Sequence, residues 1–303
     1  MSKVALIIIY NHQYNRNIAT LEAIYRDRFS CIYHLVPFYQ GAQPNVIPVY
    51  ENSFYFQGYV AQGFRHFFGE QFEHYFFVAD DLFLNPSINE NNYAEHLRLS
   101  PRASFIPGII SLHEVDTFWP RVPEAYSYRA EQPGIEAAAQ LPDHNAALAR
   151  FQRFGLALGP LRHDQIWERA PLFPMRSIRQ ARDTLRAING RHRKYALPYP
   201  LAGAYSDIFV ISSCSIRQFS HYCGVTAATR LFVEVGLPTS LILCAEELVT
   251  EADLTLKGKA LWTKEDLSTL DRYGNSLPAL AAGFPSGLLY LHPVKLSKWH
   301  TTP

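Results

Sequence analysis

The sequence predicts an α/β protein with a Rossmann-like, mainly parallel central sheet flanked by helices. Three observations predict it. Lys3 to Tyr10 is a continuous apolar, β-branched run, as expected of a parallel strand buried on both faces. Strand-like and helix-like patterns alternate after it, which is the signature of βαβ units. The chain has 303 residues, 48% hydrophobic and 18% charged, enough for a large core within one domain.

In order along the chain, the first strand runs into the polar cluster Asn11-His12-Gln13-Tyr14-Asn15-Arg16-Asn17. Ile18, Leu21, Ile24 and Tyr25 then recur at helical spacing. Cys31 to Val36 reads as a second strand, stopped by Pro37, and Val46 to Tyr50 as a third. Phe54 to Phe68 has helical spacing, and His74 to Ala79 is a fourth strand with Asp80-Asp81 at its carboxyl end. Phe105 to Ser111 predicts a fifth. From Val115 to Leu201 the pattern is less regular and rich in Pro and Tyr, with helical stretches at Asn145 to Phe154 and Ser177 to Ile188. This segment reads as an insertion within a single domain spanning 1–303. Strand character returns at Asp207 to Ser212, and helical character at Ile216 to Tyr222 and Leu231 to Val249. The tail carries Leu288-Leu289-Tyr290-Leu291-His292-Pro293.

Composition narrows the function classes. A formal net charge of +1 offers no basic field for a run of phosphates, which argues against nucleic acid as a partner. The four cysteines form no C-x-x-C pair, so no zinc or disulfide framework is legible. The opening apolar run is too short to span a membrane and lacks a cleavage site, so a cytoplasmic protein is expected. Neither the P-loop nor the G-x-G-x-x-G fingerprint occurs, and there is no H-E-x-x-H or G-x-S-x-G. His163-Asp164 alone does not make a phosphohydrolase site.

The strongest local signal is Asp80-Asp81. Two carboxylates directly after an apolar strand cannot both be buried unpaired. They belong at the carboxyl edge of the sheet, where open α/β folds bind ligands, and paired oxygens there suit Mg²⁺ or Mn²⁺. The plain structural alternative is that they cap the following turn. Similar alternatives stand for an Asn-rich turn at Asn11 to Arg16 and for an ion pair of Glu234 with Arg230 or another cation. Glu246-Glu247 reads as a solvated helix face.

His74 to Pro86 (HYFFVADDLFLNP) resembles the D-x-D segment of GT-A glycosyltransferases, in which carboxylates after an apolar strand hold a divalent metal against the donor's two phosphates. Ala79 departs from the pattern at its first position. The resemblance implies Asp81 as metal ligand and Asp80 as a contact to the ribose or sugar. It implies that Asn11, His12 and Arg16, in the loop after the first strand, hold the nucleotide. It further implies that the late His292 returns to the metal or diphosphate, with Lys295 and Lys298 balancing leaving-group charge. Glu234 or Asp207 would be the base of an inverting reaction. The expected cofactor is Mn²⁺ or Mg²⁺, the donor a nucleotide-diphosphate sugar, and the acceptor a saccharide or glycolipid of bacterial-type surface-polysaccharide assembly. The insertion around 115–201 would lie on the acceptor side. The resemblance implies no transmembrane segment and allows peripheral membrane association. Two rivals stand beside it: a metal-dependent phosphohydrolase or nucleotidyltransferase acting on nucleotide sugars, and a non-catalytic binder on the same scaffold.

Overall fold

The computed structural model describes residues 2–116, 118–156, 158–166, 178 and 196–300. Its central sheet has seven strands: β1 (Val4–Ile9), β2 (Ile32–Pro37), β3 (Val46–Val49), β4 (His74–Ala79), β6 (Ala103–Phe105), β7 (Ile208–Ser212) and β8 (Glu247–Val249). Their order is β3-β2-β1-β4-β7-β6-β8, and β7 alone runs against the others. A second sheet, ordered β5-β10-β9, joins β5 (Phe83–Leu84), β9 (Lys257–Ala260) and β10 (Leu288–His292).

The apolar run of β1 is explained by burial on both faces. Val4, Leu6 and Ile8 enter one hydrophobic cluster, with helix α1 (Arg16–Tyr25) and the carboxyl-terminal segment. Ala5, Ile7 and Ile9 enter a second, beneath helices α2 (Gln57–Phe67), α5 (Ser213–Ala228) and α6 (Val233–Cys244). Alternate side chains of a strand point to opposite faces, so helices on both sides require an unbroken apolar sequence. A third cluster contains residues of the 115–201 segment, whose helices are α3 (Arg121–Ser127) and α4 (His144–Arg153). Val122, Tyr126 and Phe151 pack there with Tyr222 of α5 and Val235 and Ile242 of α6.

Two expectations fail. The fifth strand is Ala103–Phe105 and does not extend to Ser111. Ile106 donates to the carbonyl of Val249, then Pro107 offers no N–H to continue the ladder, and Ile110 makes only an isolated bridge to Gly203. The helix expected over Leu231 to Val249 stops at Cys244, and Glu247–Val249 becomes β8, parallel to β6. Glu246-Glu247 is therefore not a helix face. Glu247 accepts from Ser100 Oγ at 2.6 Å, and Glu246 pairs with Arg102. The helical stretch predicted at Ser177 to Ile188 lies outside the described residues, Ile178 apart. Among the described residues, no helix is long and apolar enough to cross a membrane.

Candidate functional site

β1 and β4 lie side by side, in register from Val4↔His74 to Ile9↔Ala79. From β1 the chain goes on to β2 and β3 on one side; from β4 the sheet continues to the other. The carboxyl ends of β1 and β4 thus form the topological switch point, where an open α/β sheet leaves a crevice for ligands. Asp80 stands at its floor. Its backbone N–H donates to the carbonyl of Ile9 at 2.9 Å, carrying the ladder one residue past the strand. Its side chain is buried, accepting from the Asn11 backbone N–H at 3.4 Å and from Asn17 Nδ2 at 3.1 Å.

Three further groups join it. Asp207 immediately precedes β7, and its carbonyl accepts from the Ala79 N–H at 2.8 Å, so the one reversed strand brings Asp207 to the crevice. The short antiparallel pairing of β5 with β10 sets Phe83 opposite Leu291 and delivers His292 to Asp81. His292 Nε2 lies 3.0 Å from Asp81 Oδ1 and 3.9 Å from Asp207 Oδ1. The backbone repeats the link, since Val294 N–H donates to the Asp81 carbonyl at 2.7 Å. The other ring nitrogen, Nδ1, is 2.5 Å from the Tyr205 hydroxyl. Tyr205 in turn stacks flat on Tyr290, with centroids 5.9 Å apart and ring planes at 4°.

The cluster is crowded with negative charge. Among the described residues, no Lys or Arg pairs with Asp80, Asp81 or Asp207. Burial, and then the neighbouring Asp81 charge, push the Asp80 carboxyl up to about 7. Burial and Asp81 also raise Asp207, against the opposing pull of His292 and Tyr205. Burial would lower the His292 imidazole, but the hydrogen bond to Asp81 and the charges of Asp207, Asp81 and Asp80 raise it. Like charges held together out of water call for a cation, and carboxylate oxygens with one imidazole suit Mn²⁺ or Mg²⁺. As they stand, no three His, Cys, Asp or Glu side chains among the described residues converge to hold a metal alone. Asp81 and His292 could hold a cation only together with oxygens supplied by a ligand.

No family model matches the chain. Neither a search of curated proteins nor one of solved structures returns a significant match.

The remaining residues picked out from sequence lie around this cluster. Asn11 is part of it through Asp80. His12 is exposed on the same loop, edge-on to Tyr14 at 5.5 Å; Arg16 is not in the loop as expected but opens helix α1, exposed and without an ion pair among the described residues. Lys295 and Lys298 are exposed just beyond the anchored Val294. Glu234 is set apart. It pairs with Arg121 at 3.8 Å rather than with Arg230, which instead bonds Glu51. Burial raises the Glu234 carboxyl; Arg121 opposes this and the Asp207 charge adds to it, so the two candidate bases share one electrostatic neighbourhood. Only Asp207 reaches His292. Asn17 is not among the residues the resemblance implies, whereas Tyr205 falls in the stretch Leu201 to Val210, which the resemblance takes to contact the donor sugar and the acceptor. Asn17 had a signal, because helical spacing puts it on the buried stripe with Ile18, Leu21 and Tyr25.

Proposed function

We propose that the chain is a GT-A-type glycosyltransferase that moves a sugar from a nucleotide-diphosphate sugar to a saccharide or glycolipid acceptor with divalent-metal assistance. The observation that carries this reading is the 3.0 Å contact between Asp81 and His292, two residues 211 positions apart. The sequence resemblance requires an acidic pair after an apolar strand to meet a late histidine, and the contact supplies that meeting at the sheet's switch point.

In this reading Asn11, His12 and Arg16 border the nucleotide. Asp80, with both oxygens engaged by Asn11 and Asn17, acts on the donor by fixing that loop. Asp81 and His292 would hold the cation, whose chemistry is to neutralise charge on the departing diphosphate. Lys295 and Lys298 add positive charge on the same side. Asp207 faces the acceptor hydroxyl as general base, and its raised affinity for a proton suits that task. Glu234, on the side of the 115–201 segment, is the alternative base. The setting that goes with this reading is the cytoplasmic face of surface-polysaccharide or lipopolysaccharide assembly.

The test is a thermal-shift screen of UDP, GDP, CMP and dTDP and their sugar conjugates, with and without Mn²⁺. A ligand that binds only the native state raises the melting temperature by mass action. The expected result is a rise with one nucleotide family that grows with Mn²⁺ and disappears in Asp81→Ala. No rise with any nucleotide at saturating concentration would sink the reading. Release of free sugar phosphate, or formation of a new nucleotide sugar, would replace it with a hydrolase or nucleotidyltransferase.

A further inference from the structure

Single exposed apolar residues are ordinary on protein surfaces and call for no explanation. Here the exposed rings are not scattered. Among the described residues, the large aromatic side chains most open to solvent are Tyr14, Phe38, Tyr50, Phe54 and Trp262. Tyr14 follows β1, Phe38 follows β2, and Tyr50 and Phe54 follow β3, all at the carboxyl edge of the parallel sheet. Trp262 follows β9, whose last residue, Ala260, pairs with His292.

Trp262 is the most exposed of the five, at 68%. Its backbone is nonetheless pinned on both sides. Leu261 is buried and its N–H donates to the His292 carbonyl at 2.7 Å. Thr263 begins the short helix α7 (Lys264–Ser268) through a reciprocal capping pair with Asp266. The indole is also oriented. It meets Tyr205 at 6.4 Å and 85° and His292 at 6.4 Å and 80°, edge-to-face in both cases. A side chain fixed this firmly and still solvated is preorganised for a ligand, because little ordering remains to be done on binding.

The chemistry around it selects the ligand. The indole offers a flat apolar face, and through His292 it borders a strongly polar cluster that includes Asp81 and Asp207. A pyranose matches both demands, with an apolar C–H face and a rim of hydroxyls. We infer that Trp262 is the stacking platform for the pyranose ring of the sugar being transferred. This deepens the glycosyltransferase reading and rests on it.

Calorimetric titration of wild type, Trp262→Ala and Trp262→Phe tests it in the presence of Mn²⁺. The probes are UDP, GDP and dTDP beside UDP-glucose, UDP-galactose, GDP-mannose and dTDP-glucose. The bare nucleotide should bind wild type and Trp262→Ala equally. The matching nucleotide sugar should lose about five- to tenfold in affinity in Trp262→Ala, and Trp262→Phe should keep most of it. An equal loss for nucleotide and conjugate would assign the ring to the base and overturn the platform. So would no loss for either. If wild type binds no nucleotide, the glycosyltransferase reading itself fails. Saturation-transfer NMR with methyl glucopyranoside and methyl galactopyranoside then decides on Trp262: signals lost in Trp262→Ala uphold the platform, and no signals from wild type remove it.

Discussion

At the amino end of β4, His74 is buried and complete. Its Nδ1 lies 2.9 Å from the Tyr93 hydroxyl, and its Nε2 lies 3.1 Å and 3.2 Å from the carbonyls of Ser100 and Ala103. Burial holds this imidazole below its usual range, so a neutral ring serves every contact. At the carboxyl end of the same strand, Asp80 and Asp81 meet Asp207 and His292 with too much negative charge and no Lys or Arg partner among the described residues. Both ends are polar and largely out of water, but one is satisfied by the chain and the other is not. A buried polar group finished by its own fold contributes to stability; a group left in surplus marks where something else is meant to bind.

The sharpest way to break this contrast is at Asp81. Asp81→Ala should lower sugar transfer by about two to three orders of magnitude, the scale of losing a principal electrostatic contact to the reacting charge. The circular dichroism spectrum and melting temperature should stay close to wild type, and retained activity would remove Asp81 from the site. His74→Ala should do the reverse. It strands the Tyr93 hydroxyl and opens a cavity, so urea unfolding should register a loss of about 2–4 kcal/mol. The folded fraction should bind the donor as before.

The pH dependence of stability sharpens the comparison further, because the two ends pull in opposite directions. His74 is depressed in the folded state, so below about the ordinary 6.5 the unfolded chain takes up protons that the folded chain refuses. Stability falls as pH drops through that range. Asp80 is raised from 3.8 to about 7, so between those values the folded chain holds the extra proton and stability falls as pH rises. Asp80→Asn should therefore stabilise the protein at pH 8 by about 1 kcal/mol, change little at pH 4 and leave the acid-side loss from His74 in plain view. A destabilised Asp80→Asn at pH 8 would show that the crowded end is not strained by charge. The smallest effect belongs to the rim. Arg16→Ala should leave the melting temperature unchanged and weaken donor binding about three- to fivefold, a loss that shrinks in high salt.

Much of this arrangement was legible in the sequence where a long, one-sided or doubly buried pattern carried it. The strand His74 to Ala79 and the aspartates after it could be read residue by residue, since nothing but a buried strand explains six consecutive residues of that kind. Short elements were not legible. β5 has two residues, and β9, Lys-Gly-Lys-Ala, has no apolar alternation to read; each owes its pairing to β10. β8 was hidden because three residues, Glu247 to Val249, carry too little pattern to be told from the end of the preceding helix. The candidate site was legible in its charged members: Asp80, Asp81 and His292 close apolar strands, and Asp207 directly precedes one. Tyr205 and Trp262 lie in loops, and loops take their place from the whole fold.

The pairing of β10 with β5 and β9 has a consequence in the time domain. Asp81 leaves the ribosome well ahead of its histidine, which follows 211 residues later. A chain interrupted between Ser212 and Leu288 already carries β1, β4 and β7, yet has no His292 to bring to Asp81. Closing so distant a pair is among the slower and later acts of folding. In the glycosyltransferase reading, the contact that would hold the cation therefore forms only after 211 further residues have followed Asp81.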